Sequence, residues 1–88
     1  SAYGAIGEDI RMTTIQVTTL NNTYMLEQND AGEHRIIAST HPVYGNKDNE
    51  KSVIGAKCDP PVVGRFFAAY RTRYPVGWHS STVQEIMR

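Results

Sequence analysis

Four polar side chains stand together near the end of the chain: His79, Ser80, Ser81 and Thr82, in the stretch GWHSSTVQEIMR. An imidazole beside hydroxyls raises the chemistry of a serine nucleophile. That chemistry needs the imidazole within hydrogen-bond reach of the hydroxyl, a carboxylate that orients the ring, and donors for an oxyanion. Side chains of adjacent strand residues point to opposite faces, so His79 diverges from Ser80 and shares a side only with Ser81. No G-x-S-x-G elbow is present. These hydroxyls are expected to serve a strand start or a helix cap, and no catalytic residue is assigned.

Metal chemistry could draw on His34, His41, Cys58 and His79, three imidazoles and one thiol. Their spacings of 7, 17 and 21 residues contain no tight C-x-x-C or H-x-x-x-H pair of the kind that organises structural zinc sites. No metal and no cofactor is expected. Cys58 precedes Asp59, whose charge would raise the thiol pKa, so a small buried hydrophobe is the expected role. The carboxylates Glu27, Asp30, Glu33, Asp48 and Glu50 fall in turns and loops, whereas a glycosidase needs two carboxyls facing across a cleft. The chain is expected not to be an enzyme, unless a pocket forms between subunits.

The stretch RFFAAYRTRYPVGW carries a different chemistry. It packs Phe66, Phe67, Tyr70, Tyr74 and Trp78 among Arg65, Arg71 and Arg73. Tyr, Trp and Arg are enriched at protein interfaces, and Arg71, Arg73, Tyr74 and Trp78 are the expected interaction surface. Small β-barrels also bind single-stranded nucleic acid with basic and stacking side chains, which would use Arg65, Arg71, Arg73 and Tyr70. Part of the same run must also form the core, because the chain has only eight aromatic residues among Phe, Tyr and Trp.

Nine Lys and Arg balance nine Asp and Glu, for a formal charge of zero. Phosphate binding by counterion release needs a basic surplus on some face, so the balance disfavours nucleic acid. It also removes the self-repulsion that keeps small proteins apart, and a homodimer is expected. The 88 residues make a single domain, 1–88, with 1–9 as a flexible or edge arm. A chain of this length buries only about 60–65% of its unfolded surface, so the core is thin. A lone cysteine excludes a disulfide framework, no apolar run approaches the roughly 18–20 residues of a membrane span, and a cytoplasmic location is expected.

The elements that must position these residues read largely as strands. MTTIQVTTL, residues 12–20, alternates Ile15 and Val17 against Thr14, Gln16 and Thr18. Tyr24 to Thr40 reads as a β-hairpin about the turn NDAG, residues 29–32. HPVYGNKDNE, 41–50, is a loop of mobile appearance, and KSVIGAK, 51–57, a short strand ended by CDPP. Residues 60–74 admit two readings. At helical period Val63, Phe67, Tyr70 and Tyr74 share a face, with Asp59 as N-cap and Pro60 at the first position. At strand period Phe66 and Tyr70 face one way, and Phe67 and Ala69 the other. Residues 80–87 are equally divided between a capped short helix and a closing strand.

VTTLNNTYML carries the pattern V-x-T-x-N-x-x-Y, and VVGRFFAAYRTRYPVGWHSSTVQEI carries V-G-x-x-F followed by a segment close to T-S-x-V-x-x-I. Together they resemble small uncharacterised bacterial β-barrel-like proteins of phages, integron cassettes and other mobile elements. The resemblance spans Val17 to Met25 and Val63 to Ile86, and this chain has S-S-T-V where the pattern has T-S-x-V. It implies no activity or cofactor. It does draw 64–72 and 80–87 towards strand, with RYPVG, 73–77, as a hairpin bend. The expected fold is all-β, a small single-domain antiparallel sheet or half-open barrel, with α+β and a helix at about 60–74 as the alternative. The expected function is a non-enzymatic protein-interaction module, an accessory of a mobile element, with nucleic-acid binding as the second reading.

Overall fold

The computed structural model describes residues 12–46, 48–71 and 74–88, with residues 71 and 74–77 described in backbone only. The proposed arm at 1–9, and Arg73, lie outside the described residues. Seven strands form one antiparallel sheet: β1 (Met12–Thr19), β2 (Thr23–Asn29), β3 (His34–Ser39), β4 (Lys57–Cys58), β5 (Ala68–Arg71), β6 (Tyr74–His79) and β7 (Val83–Met87). Their order is β6-β5-β4-β3-β2-β1-β7, so the last two strands end on opposite edges of the sheet. The fold is all-β, and the sheet is half-open rather than closed. No helix long and apolar enough to cross a membrane occurs among the described residues.

The threonine-rich alternation of β1 buries Ile15, Val17 and Thr19 and leaves the intervening side chains outside. The hairpin of β2 and β3 turns where NDAG predicts. Asn29 Oδ1 accepts from the N–H groups of Ala31 and Glu33 at 3.0 and 2.9 Å, an Asx turn made by the residue type suited to it. Register shifts then bend the sheet. Met25 pairs Ala38 but Leu26 pairs Ile36, which leaves Ile37 as an extra, outward residue. Similar shifts occur between β1 and β7 and between β5 and β6. Each extra residue sharpens local twist, and three of them curl a seven-strand sheet around its core.

That core is built on three rings. Tyr24, Phe67 and Trp78 meet edge-to-face, with centroids 5.4, 5.6 and 5.7 Å apart. Around them pack Ile15, Val17, Leu26, Ile36, Val53 and Val83. Edge-to-face aromatic pairs add about 0.5–1.5 kcal/mol each beyond their area burial, a useful share in so small a domain.

The helix alternative for 60–74 does not form. Gly64 has φ of +91°, in the left-handed region that glycine tolerates and a helix excludes. Asp59, a candidate N-cap, instead receives the Ala68 N–H at 3.3 Å and the Tyr70 hydroxyl at 2.8 Å. Its acceptor capacity serves a strand neighbour rather than a helix start. Of KSVIGAK only the last residue, Lys57, is strand, and it continues into Cys58. Upstream, Gly55 and Ala56 still bond Ile36 of β3, at 2.7 and 3.0 Å. Pro75 and Gly77 lie within β6 rather than in a bend. Proline has no N–H to donate and is tolerated there because β6 is an edge strand.

A set of hydrogen bonds on one rim links the two edges of the half-open sheet. The segment after Val62 crosses to the start of β7, where Gly64 N donates to Val83 O (2.9 Å) and Val83 N to Arg65 O (2.8 Å). Next to it Ser80 N donates to Phe67 O at 2.9 Å, and Phe67 N donates to Ser80 Oγ at 3.0 Å. The 62–67 loop thereby bridges the two ends of the sheet on one rim.

Candidate functional site

The hydroxyl of Ser80 is fully engaged by this bridge. It accepts from Phe67 N–H, donates to Ser81 O at 2.7 Å, and is 2% exposed. His79 Nδ1 lies 3.0 Å from the Ser80 carbonyl oxygen rather than from any hydroxyl. Ser81 Oγ donates to Thr19 Oγ1 at 2.8 Å and accepts from Asn21 N at 3.2 Å. The cluster joins the β1–β2 turn to the β6–β7 connection, and each serine hydroxyl in it holds backbone or another hydroxyl.

The four candidate metal ligands separate into two pairs. His34 faces Cys58 across β3 and β4. Burial lowers the His34 pKa from its ordinary value, and its Nδ1 has no hydrogen-bond partner among the described residues. Burial, followed by the Asp59 charge, pushes the Cys58 thiol up to about 12, so the sulfur is protonated and unreactive at neutral pH. His41 and His79 lie on the opposite rim. No group of three or more His, Cys, Asp or Glu side chains suited to a metal occurs among the described residues.

The aromatic–arginine stretch divides in an unexpected way. Trp78, placed by sequence on the interaction surface, is in the core at 7% exposure, because its ring completes the triad with Tyr24 and Phe67. Tyr70 is half-buried. Its hydroxyl donates to Asp59, and this bond, followed by burial, raises its pKa. Arg71 belongs to β5 and Tyr74 to β6, but their side chains lie outside the description, as does Arg73. Arg65 is exposed on the bridging loop.

The residue that sequence reasoning missed is Phe66. It is 60% exposed, whereas its neighbour Phe67 is wholly buried, and its ring lies 4.7 Å from that of His79. On the same loop Val62 and Val63 are 51% and 58% exposed. Leu20, at 67%, approaches from the other side of the β7 start, its N–H bonded to Thr82 O at 3.1 Å. These four side chains form an apolar shoulder around the 79–83 segment, with Arg65 as its charge. The signal for it was V-V-G: two valines before a glycine that turns the chain outward.

Beside the shoulder lies a cleft of about 390 Å³, between the Asn21–Asn22 turn, the 41–46 loop and the Trp78–Ser81 segment. The 41–46 loop, of mobile appearance in sequence, is tightly held. His41 Nδ1 accepts from Val43 N at 3.1 Å and Tyr44 N at 3.2 Å, and Gly45 N donates to His41 O at 2.8 Å. Tyr44 O accepts from Val53 N at 2.9 Å and Ser52 Oγ at 3.1 Å. A Cβ at residue 45 would collide with the carbonyl oxygens of Ser39 and His41, so only glycine lets the loop close this tightly. Tyr44 is thereby fixed 6.2 Å from Trp78 and 4.6 Å from His41, centroid to centroid.

Fold and rim together define a small half-open β-sheet protein with an apolar shoulder beside an aromatic, polar cleft. No family model matches the chain, and no curated protein or solved structure matches it.

Proposed function

We propose that the chain is a non-enzymatic protein-interaction module that binds through the shoulder of Leu20, Val62, Val63 and Phe66, with a second copy of itself as the first partner. The observation that supports this reading is the exposure of four large apolar side chains, each more than half open to water, on segments fixed by backbone hydrogen bonds. Scattered exposed hydrophobics are ordinary, but four of them on segments bonded to the same 82–83 stretch cost solvation free energy that an interface would recover. Zero formal charge lets two copies approach without repulsion. The resemblance to mobile-element proteins supplies the setting, a cytoplasmic accessory protein.

The nucleic-acid reading is weaker. Tyr70, its stacking residue, carries the Asp59 carboxylate on its hydroxyl, and a carboxylate beside the stacking platform repels phosphate. The test is a dilution series followed by amide NMR. Self-association through the shoulder shifts the signals of Leu20, residues 62–66 and His79 with concentration. Concentration-independent spectra would overturn the dimer.

A further inference from the structure

We propose that the cleft between the Asn21–Asn22 turn and the 41–46 loop is a binding site for a neutral saccharide. Its volume of about 390 Å³ lies at the small end of ligand sites, which run from about 300 to 1,000 Å³. The walls are held in place. Gly45 and the His41 cap fix one side, and the Thr19–Ser81–Asn21 bonds fix the other.

The lining decides the ligand class. Among the described residues no Lys, Arg, Asp or Glu lines the cleft, so none of them offers a charged partner to a phosphate, a carboxylate or an ammonium group. What lines it instead are hydrogen-bonding groups of both polarities. His41 Nδ1 accepts two backbone N–H groups, which puts the ring proton on Nε2 and makes that nitrogen a donor. His79 has the opposite arrangement: its Nδ1–H donates to Ser80 O, and in the neutral ring Nε2 is left as an acceptor. Asn22 Oδ1 accepts from Thr40 Oγ1 at 3.1 Å and its side chain also bonds the Tyr24 phenol, so Asn22 is fixed in the wall, and the exposed Asn21 brings the amide that faces outward. Tyr44, half-buried beside Trp78, adds an apolar ring face.

A ligand matching this set is uncharged, offers several groups that each donate and accept, and has an apolar face. A pyranose ring has these properties, since its hydroxyls both donate and accept and its C–H face packs on aromatic rings. A nucleotide would bring a phosphate that meets no cation among the described residues. An apolar peptide would strand the imidazole and amide groups without partners.

The test uses the one tryptophan of the chain, Trp78, as an internal reporter of the cleft. The methyl glycosides of glucose, galactose, mannose and N-acetylglucosamine are titrated into the full chain, with adenosine and a proline-rich peptide as comparison probes. Binding is read from Trp78 fluorescence and amide NMR. A saturable response to at least one glycoside is expected, with shifts confined to Asn21, Asn22, His41, Tyr44, His79 and Ser81. Asn21→Ala alters an exposed side chain and leaves the unfolding midpoint in place; His79→Phe also gives up the Nδ1–H bond to Ser80 O; each weakens binding about ten-fold, the effect of losing one well-placed polar contact. Val63→Ser, which alters only the shoulder, leaves glycoside binding unchanged, so failure here is separable from failure of the protein-interaction reading. Silence from all four glycosides overturns the proposal, as does a response to adenosine or the peptide in their place. Equal binding by both cleft variants also overturns it.

Discussion

Replacing Ser80 with alanine isolates the bridge that links the two edges of the half-open sheet on one rim. Four bonds meet at this residue, and two of them use the hydroxyl: one accepted from Phe67 N–H at 3.0 Å and one donated to Ser81 O at 2.7 Å. Ser80→Ala leaves the Phe67 N–H buried with no acceptor, because Ser80 is only 2% exposed and Phe67 is wholly buried. An unsatisfied buried donor costs about 1–3 kcal/mol, and the lost bond to Ser81 O adds about 0.5–1.5 kcal/mol. The sum is about 1.5–4.5 kcal/mol. A chain of 88 residues has a total stability of about 4–13 kcal/mol, so the variant loses a substantial fraction of it. Urea unfolding followed by Trp78 fluorescence measures this as a lower midpoint with an unchanged slope. Ser81→Ala, altering a more exposed hydroxyl that bonds Thr19 Oγ1, costs about 1 kcal/mol or less. A Ser80→Ala variant within about 0.5 kcal/mol of wild type would refute the bridge as a stabilising link between the sheet edges.

Other perturbations have equally definite outcomes. Gly45→Ala forces a Cβ against two carbonyl oxygens, so it lowers the melting temperature and broadens the amide signals of His41 and Tyr44; an unchanged loop spectrum would contradict the tight closure. The Cys58 pKa is raised in the fold from 9.0 to about 12, so its contribution, about 4 kcal/mol at 1.36 kcal/mol per unit, is fully present below pH 9 and is lost as pH rises towards 12. Cys58→Ala should flatten that alkaline decline without abolishing it, because Tyr24 and Tyr70 also have raised pKa values. His34 has a lowered pKa, so its contribution is present above its unfolded value of about 6.5 and is lost as pH falls from there through the folded pKa. Urea midpoints between pH 7 and 5 should therefore fall in the wild type and fall less in His34→Phe.

The sequence made some of this architecture legible and hid the rest, for reasons visible in particular residues. β1 and the β2–β3 hairpin were readable because strand alternation and Asx-turn chemistry act within a few residues of each other. The 60–67 segment was not, because its conformation depends on bonds to Val83 and Ser80, far along the chain. The strand-period grouping put Phe67 with Ala69 and Phe66 with Tyr70, as observed, but two adjacent phenylalanines do not reveal which of them faces inward. Phe67 does so because Tyr24 and Trp78 complete its ring packing. The same packing withdraws Trp78 from the surface that composition suggested. The cleft was hidden for a related reason: His41 and Tyr44 meet Asn21 and His79 only when three connecting segments converge on one rim.

The shoulder is tested most directly by mass in solution. Light scattering on the wild type and on Val63→Ser/Phe66→Ser compares the intact rim with one whose exposed apolar side chains have been made polar without touching the core. The interaction reading predicts a wild-type mass of twice the 9.8 kDa chain and a single-chain mass for the variant, both with the same unfolding midpoint. A wild type at the single-chain mass across the concentration range, or a variant that dimerises as well as the wild type, would contradict it.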